Sequence, residues 1–198
     1  MACTLNSGRL VDCKDQIGGL KKIYFVKDYC SDIRGRATIS NDEMTTAGFA
    51  NWDIAESSVV TVFQYDLRPD LSSMTVNVNS DAATGTTTYE QTLSITLQKL
   101  TKADNKELRL IAQNRVQVFV LDNNENLFLL GMDHGLDVTG GTVVTGAART
   151  DMTGYTLEFS GREVESMIWL PASAGAGTDK FPFDGLDDES ALTITVGS

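Results

Sequence analysis

The alternation of apolar and polar positions along the chain predicts mostly strands. Leu20–Val26 (LKKIYFV) is dense in β-branched and aromatic residues and reads as a strand. Ser57–Leu67 (SSVVTVFQYDL) reads as another, ended by Arg68-Pro69-Asp70 because proline has no N–H for the ladder. Ser73–Asn79 alternates, with Met74, Val76 and Val78 on one face and Thr75, Asn77 and Asn79 on the other. A loop from Ser80 to Gly85 leads into a strand running from about Thr86 to Lys99, so the two strands form a long hairpin. In its inner half Leu93, Ile95 and Leu97 alternate with Ser94, Thr96 and Gln98, the pattern of a half-buried strand. The outer half carries Thr, Asn and Ser on both faces and has no apolar core to join. It is either a solvated tip or a surface that docks on a partner, with Met74, Val76, Asn77, Asn79, Thr86, Thr87, Thr88 and Tyr89 as the contact residues.

The pattern then changes period. Thr101 can cap a helix over Lys102–Gln113, with Asp104 three residues on and Asn114 as the C-cap. Leu108, Ile111 and Ala112 are the residues it would turn to a core. From Arg115 to Leu121, Val116, Val118 and Val120 occupy one face and Phe119 and Leu121 the other, which predicts a central strand buried on both sides. Asp122–Asn126 turns the chain into Leu127–Leu130. Gly-interrupted β structure follows over His134–Thr145. Next come a half-buried strand with Tyr155, Leu157 and Phe159 inward, and a last core strand at Ser166–Leu170. Short strands are expected near Gly35–Ile39 and Gly48–Asp53. The expected architecture is a mainly β sandwich or barrel over residues 20–170 with one flanking helix. Residues 1–19 form an N-terminal arm, and residues 171–198 a linker and C-terminal arm. In that arm Phe181, Phe183 and Leu186 supply anchors and Leu192–Val196 an added strand.

A chain of 198 residues with 41% hydrophobic content suffices for one domain with a sizeable core. The net charge of −11 argues against a direct grip on nucleic acid, which needs clustered Lys and Arg, yet it is compatible with DNA that passes without adhering. Cys3, Cys13 and Cys30 are odd in number and confined to the first 30 residues, which fits reduced thiols in a cytoplasm better than a disulfide framework. No apolar run approaches a membrane span, and the first residues lack the apolar core of a secretory signal, so no membrane anchor is expected.

The candidate chemistry is thin. Asp122, Asn124 and Asn126 imitate the start of a calcium loop, but Leu127 stands where the required glycine would be, so a hairpin turn is the better reading. Gly140-Gly141 precedes Thr-Val-Val-Thr rather than the Lys and helix of a phosphate loop. His134 follows Asp133, without a nucleophile at a recognisable elbow. Three cysteines lack a fourth zinc ligand nearby. Asp184, Asp187, Asp188 and Glu189 read as a solvated acidic stretch. No catalytic residue, cofactor site or metal site is assigned, and the chain reads as a structural protein rather than an enzyme.

The segment LSITLQKLTKADNKELRLIAQNRVQVFVLDNNENLFLLG, followed by HGLDVTGGTVVTGAARTDMTGYTLEFSGRE, resembles the tail tube proteins of phages and related prophages. The resemblance covers about residues 20–170 and rests on the order of GLDVTGG, TG and GYTLEFSG rather than on a catalytic motif. It implies a virion structural protein, assembled in a host cytoplasm, whose copies form stacked rings, usually hexameric, around a lumen that conducts DNA, and the net charge of −11 leads to the expectation that this lumen is acidic. Its partners would be further copies of itself and other tail proteins. Asp66, Glu90, Gln91 and Glu158 are the expected lumen-facing residues. A connector, terminator, decoration or baseplate protein could share such a fold. A carbohydrate-binding module is a further alternative, and it would need exposed aromatics on one sheet face, where the chain offers only Trp52 and Trp169 as scattered tryptophans.

Overall fold

A computed structural model describes residues 14, 16–27, 29, 37–40, 43–49, 60–173, 180–186 and 192–196. Among the described residues the chain is mainly β, with two sheets and one helix, as the alternation predicts. The strands are β1 (Leu20–Val26), β2 (Ala37–Ser40), β3 (Glu43–Phe49), β4 (Val60–Asp66), β5 (Ser73–Asp81) and β6 (Thr86–Gln98). After helix α1 (Lys102–Gln113) come β7 (Val118–Asp122), β8 (Leu127–Leu130), β9 (Asp137–Val144), β10 (Gly154–Glu163), β11 (Ile168–Trp169) and β12 (Leu192–Val196). One sheet has eight strands in the order β12-β4-β1-β7-β8-β11-β3-β2, and the other has four in the order β5-β6-β10-β9.

Strand β7 explains the layering. Its side chains from Val118 to Leu121 are all buried, so the eight-stranded sheet needs a cover on each face. Val118 and Val120 meet Leu93, Ile95 and Phe159 of the four-stranded sheet in one core. Phe119 and Leu121 enter a second core completed by Phe183, Leu186 and Leu192. The Phe183 ring packs edge-on against Tyr24 at 5.2 Å and Phe119 at 5.1 Å. Strand β12 pairs in parallel with β4, and the Lys180 ammonium donates to the Leu192 carbonyl. The C-terminal anchors expected at Phe181, Phe183 and Leu186 therefore reach the core. The core extends past residue 170, with Phe183, Leu186 and Leu192 packed with Phe119 and Leu121 on the second face of β7. Residues 1–13, most of the expected small-residue linker, and Asp187, Asp188 and Glu189 lie outside the described residues.

Helix α1 starts where expected, with Thr101 Oγ1 accepting the Asp104 N–H at 3.0 Å. Asn114 closes it by donating Nδ2–H to the Leu110 carbonyl at 3.0 Å and its N–H to the Ile111 carbonyl. Leu108 is buried and Ile111 half-buried, but Ala112 is exposed, contrary to the expectation that it faces the core. The inward stripe runs Asp104–Leu108–Ile111, and the short Ala112 side chain lies at its outer margin. Among the described residues no helix is long and apolar enough to cross a membrane.

Candidate functional site

The four-stranded sheet has two chemically opposed faces. Residues directly opposite in a ladder share a face, so the register defines each side. Leu93, Ile95 and Phe159 are buried toward the eight-stranded sheet. On the other side β6 presents Thr88, Glu90, Thr92, Ser94, Thr96 and Gln98. Opposite them β10 places Arg162, Ser160, Glu158 and Thr156, while β5 places Ser73, Thr75, Asn77 and Asn79. From β9 come Asp137, Gly140 and Thr142, with Val144 as the apolar residue at one corner. Hydroxyls bridge the strands, as where Thr142 Oγ1 lies 2.6 Å from Thr156 Oγ1. Charge on this face is sparse and partly paired. Arg162 lies 3.6 Å from Glu90, and Asp137 lies 3.7 Å from Arg115. The face is a polar wall that carries three carboxylates, Glu90, Glu158 and Asp137, against one arginine, Arg162.

Strands β5 and β6 continue past this wall as a hairpin. Asp81 pairs with Thr86 at its end, and Ser80 Oγ lies 3.2 Å from Thr87 Oγ1. Asp81 Oδ1 accepts the Ala83 N–H at 2.8 Å, and this bond, with the Thr84 hydroxyl and N–H, holds the Asp81 carboxyl below its ordinary value of 3.8. Gly85 adopts φ +66, a left-handed conformation that costs a residue without Cβ little. On the inward side of the hairpin Val78 is 60% exposed opposite Tyr89.

The expected lumen-facing residues do not share one surface. Glu90 and Glu158 lie on the polar wall. Asp66 belongs to β4 in the other sheet, where it pairs with Lys22 at 3.4 Å. Gln91 is 1% exposed, points into the interior, and cannot line a channel. Its side chain accepts the Gly131 N–H at 2.8 Å and donates to the Ser166 carbonyl at 3.2 Å. Its polarity groups it with the expected lumen-facing residues, but parity with Leu93 puts it on the inner face. The expected contact residues divide in the same way. Asn77, Asn79, Thr86, Thr87 and Thr88 are exposed, while Val76 and Tyr89 are half-buried. Met74 pairs with Leu93 and packs on the protomer's own core, so it is not a free contact residue.

No spacing or motif in the chain announces a buried carboxylate clamp at Glu163. This residue is 3% exposed, and its oxygens accept the N–H groups of Asp133 and His134 at 3.2 and 2.9 Å. His134 Nδ1 lies 3.2 Å from the same carboxylate, so the histidine meets an acid 29 positions away in sequence. The clamp fixes the loop that carries the chain from β8 in one sheet to β9 in the other. Gly131 permits that loop, since at φ +68 an added Cβ would stand 2.9 Å from the Gly135 backbone. The Asp122–Asn126 segment is a turn, as expected. The Asp122 carboxylate accepts the N–H groups of Asn124 and Asn126 and both of their side-chain amides. Asn123 and Asn124 in turn hold the backbone of Ile17 and Gly18. Among the described residues no group of three or more His, Cys, Asp or Glu is placed to hold a metal ion, and Cys3, Cys13 and Cys30 lie outside them.

No protein-family model, no curated protein and no solved structure matches the chain.

Proposed function

We propose that this protein is a self-assembling structural subunit whose four-stranded sheets join edge to edge into a closed ring, with the polar faces lining a channel. The reading agrees with the resemblance to phage tail tube proteins, and a tail tube that conducts DNA is its most specific form. The observation that carries it is a sheet with an apolar inner face, a polar outer face and two edges, β5 and β9, that are unpaired among the described residues. Open edges expose unpaired N–H and C=O groups and call for a partner.

Topology supports the closure. The neighbours β5, β6, β10 and β9 are antiparallel at each step, so the two edge strands run in opposite directions. Copies related by rotation about a channel axis would place β9 of one against β5 of the next, antiparallel, and continue the ladder. The four-stranded sheet closed this way has no edge left. The channel wall would carry one arginine per copy, Arg162, beside Glu90. Phosphates would find few cations to bind, so DNA would move without being held. A carbohydrate-binding face is disfavoured, because the polar wall carries no aromatic residue and Trp169 instead packs on Phe128 at 4.6 Å.

Electron microscopy of the purified protein, as such and after seeding with tail assembly nuclei, tests the proposal. Hollow filaments are expected for a tube, and single rings would favour a connector or terminator. A strictly monomeric protein at high concentration, even with nuclei, would overturn it. Deleting Asn79–Thr86 is expected to leave a folded protomer that no longer polymerises, and filaments from that deletion would remove the hairpin from the assembly.

A further inference from the structure

Each outer strand of the four-stranded sheet carries an exposed valine on the face turned toward the core. Val78 of β5 is 60% exposed, and Val143 of β9 is 64% exposed. The two stand at opposite ends of the sheet. Val78 is level with Tyr89 and Glu163, whereas Val143 is level with Tyr155 and Leu97. A single sheet holds them apart, and burying either one calls for a neighbour along the edge.

The register across the sheet restricts how that neighbour can join. Met74 is level with Leu93, Phe159 and Val138, and Thr75 with Thr92, Ser160 and Asp137. Copies joined β9 to β5 without stagger would oppose only Ser73–Thr75 to Asp137–Gly140. Asp137 is the first residue of β9, so Val76–Asp81 would run on with no ladder partner. Leu136, one residue back, is already bridged to Val116. Sliding the second copy by an even number of residues keeps apolar side chains on the core face. A slide of four toward the Val144 end of β9 opposes all of Ser73–Asn79 to Asp137–Val144, with Thr139 left out at the bulge of β9. A slide of two or eight shortens the ladder, and a slide of six keeps the same length. Four residues over four strands is one residue per strand. Strands tilted by about 35–45° in a closed barrel need about 1–1.5.

Charge and packing choose four over six. A slide of six sets Asp81 opposite Asp137, and two carboxylates in one cross-strand pair repel. Arg115, 3.7 Å from Asp137, would serve one of them and leave the other uncompensated. A slide of four puts Asn79 there instead, with Asp81 beyond the end of β9, and it opposes Thr75 to Thr142 on the polar face. On the core face it sets Val78 against Val138 and Val143 against the half-buried Met74, so both exposed valines gain apolar neighbours. Between these pairs Val76 meets Gly141, which has no side chain to crowd it. Within one copy Ile111 of α1 packs on the same core as Val138, and Val143 stays uncovered.

We propose that β9 of one copy and β5 of the next form an antiparallel ladder staggered by four residues, in which Val78 packs on Val138 and Val143 on Met74. The inference rests on the edge-to-edge reading above and fixes the register of that joint. Its test is disulfide trapping in a background with Cys3, Cys13 and Cys30 replaced by Ser, first shown to assemble as the parent does. Thr142→Cys protein is mixed with Ser73→Cys, Thr75→Cys or Asn77→Cys protein, assembled and oxidised. All four positions are exposed on the polar face, and slides of two, four and six bring Thr142 opposite Ser73, Thr75 and Asn77 in turn. The mixed disulfide with Thr75→Cys is expected to form about tenfold faster than the other two. A disulfide needs Cβ atoms within about 4.5 Å, and successive positions on one face lie about 7 Å apart. Val143→Asp, made with the native cysteines in place, is expected to keep the native circular dichroism and to lose assembly. Faster trapping at Ser73→Cys or Asn77→Cys would overturn the stagger and leave the edge-to-edge ring standing. Assembly with trapping at none of the three, or filaments from the Val143→Asp protein, would overturn the joint and leave self-assembly standing. Failure of the parent protein to assemble under any condition would overturn both.

Discussion

Gln91 Oε1 accepts the Gly131 N–H at 2.8 Å, joining residues forty positions apart in a fully buried setting. The same side chain donates to the Ser166 carbonyl, so one amide ties β6 to both the β8–β9 loop and the approach to β11. Gln91→Leu keeps the volume but orphans the Gly131 N–H. It is expected to destabilise the fold by about 1–3 kcal/mol, read from chemical denaturation. An unchanged midpoint would mean that the loop finds another acceptor.

The Glu163 clamp predicts an asymmetric pair of mutants. Glu163→Ala leaves the N–H groups of Asp133 and His134 without their acceptor and is expected to cost at least about 1–3 kcal/mol. His134→Ala removes a side chain that is 62% exposed and is expected to stay within about 0.5 kcal/mol of the parent protein. Equal losses would contradict a clamp made of backbone donors.

Phe159 joins the two sheets. It is 0% exposed, and its ring lies 5.5 Å from that of Phe25. Phe159→Ala removes a full ring from a closed core and is expected to cost about 3–5 kcal/mol, measured by thermal or denaturant unfolding.

The helix cap sets a smaller effect. Thr101→Ala removes the acceptor of the Asp104 N–H and is expected to cost about 1 kcal/mol. Thr101→Ser, which retains the hydroxyl, should recover most of it, and the comparison separates capping from packing.

The hairpin tip carries a pH dependence. The pKa of Asp81 is depressed below 3.8 in the folded protein, so its carboxylate stabilises the turn above that value. The contribution is lost as pH falls through the lower folded pKa, when protonation weakens the bonds from Ala83 and Thr84. Amide resonances of Ala83 and Thr84 in a pH titration are expected to shift with a midpoint below 3.8, and in Asp81→Asn protein that transition should vanish. A midpoint above 3.8 would contradict the hydrogen bonding.

Much of the secondary structure was legible from short-range pattern. Leu20–Val26, the capped helix from Lys102 and the Asp122–Asn126 turn rest on neighbouring residues and on rules of period and capping, and they stand where the pattern predicts. Residues 50–53 and 57–59 of the expected strands lie outside the described residues. The candidate surface was legible only in part. Thr, Ser and Asn at alternate positions of β5 and β6 announced a polar face. Polarity alone did not say which polar residue belonged to it: Gln91 lies on the inner face of β6, and Asp66 lies on β4 of the other sheet.

By itself the sequence determined that this chain builds strands with one apolar and one polar face around a central strand, β7, apolar on both. That information is local, because side-chain alternation and capping act over a few residues. Only the tertiary structure decided that the second face of β7 is covered by Phe183, Leu186 and Leu192, that Gln91 is an interior tie, and that Glu163 clamps the crossing loop. Those outcomes depend on contacts between residues tens of positions apart, where burial and hydrogen bonding select a partner that no local spacing encodes.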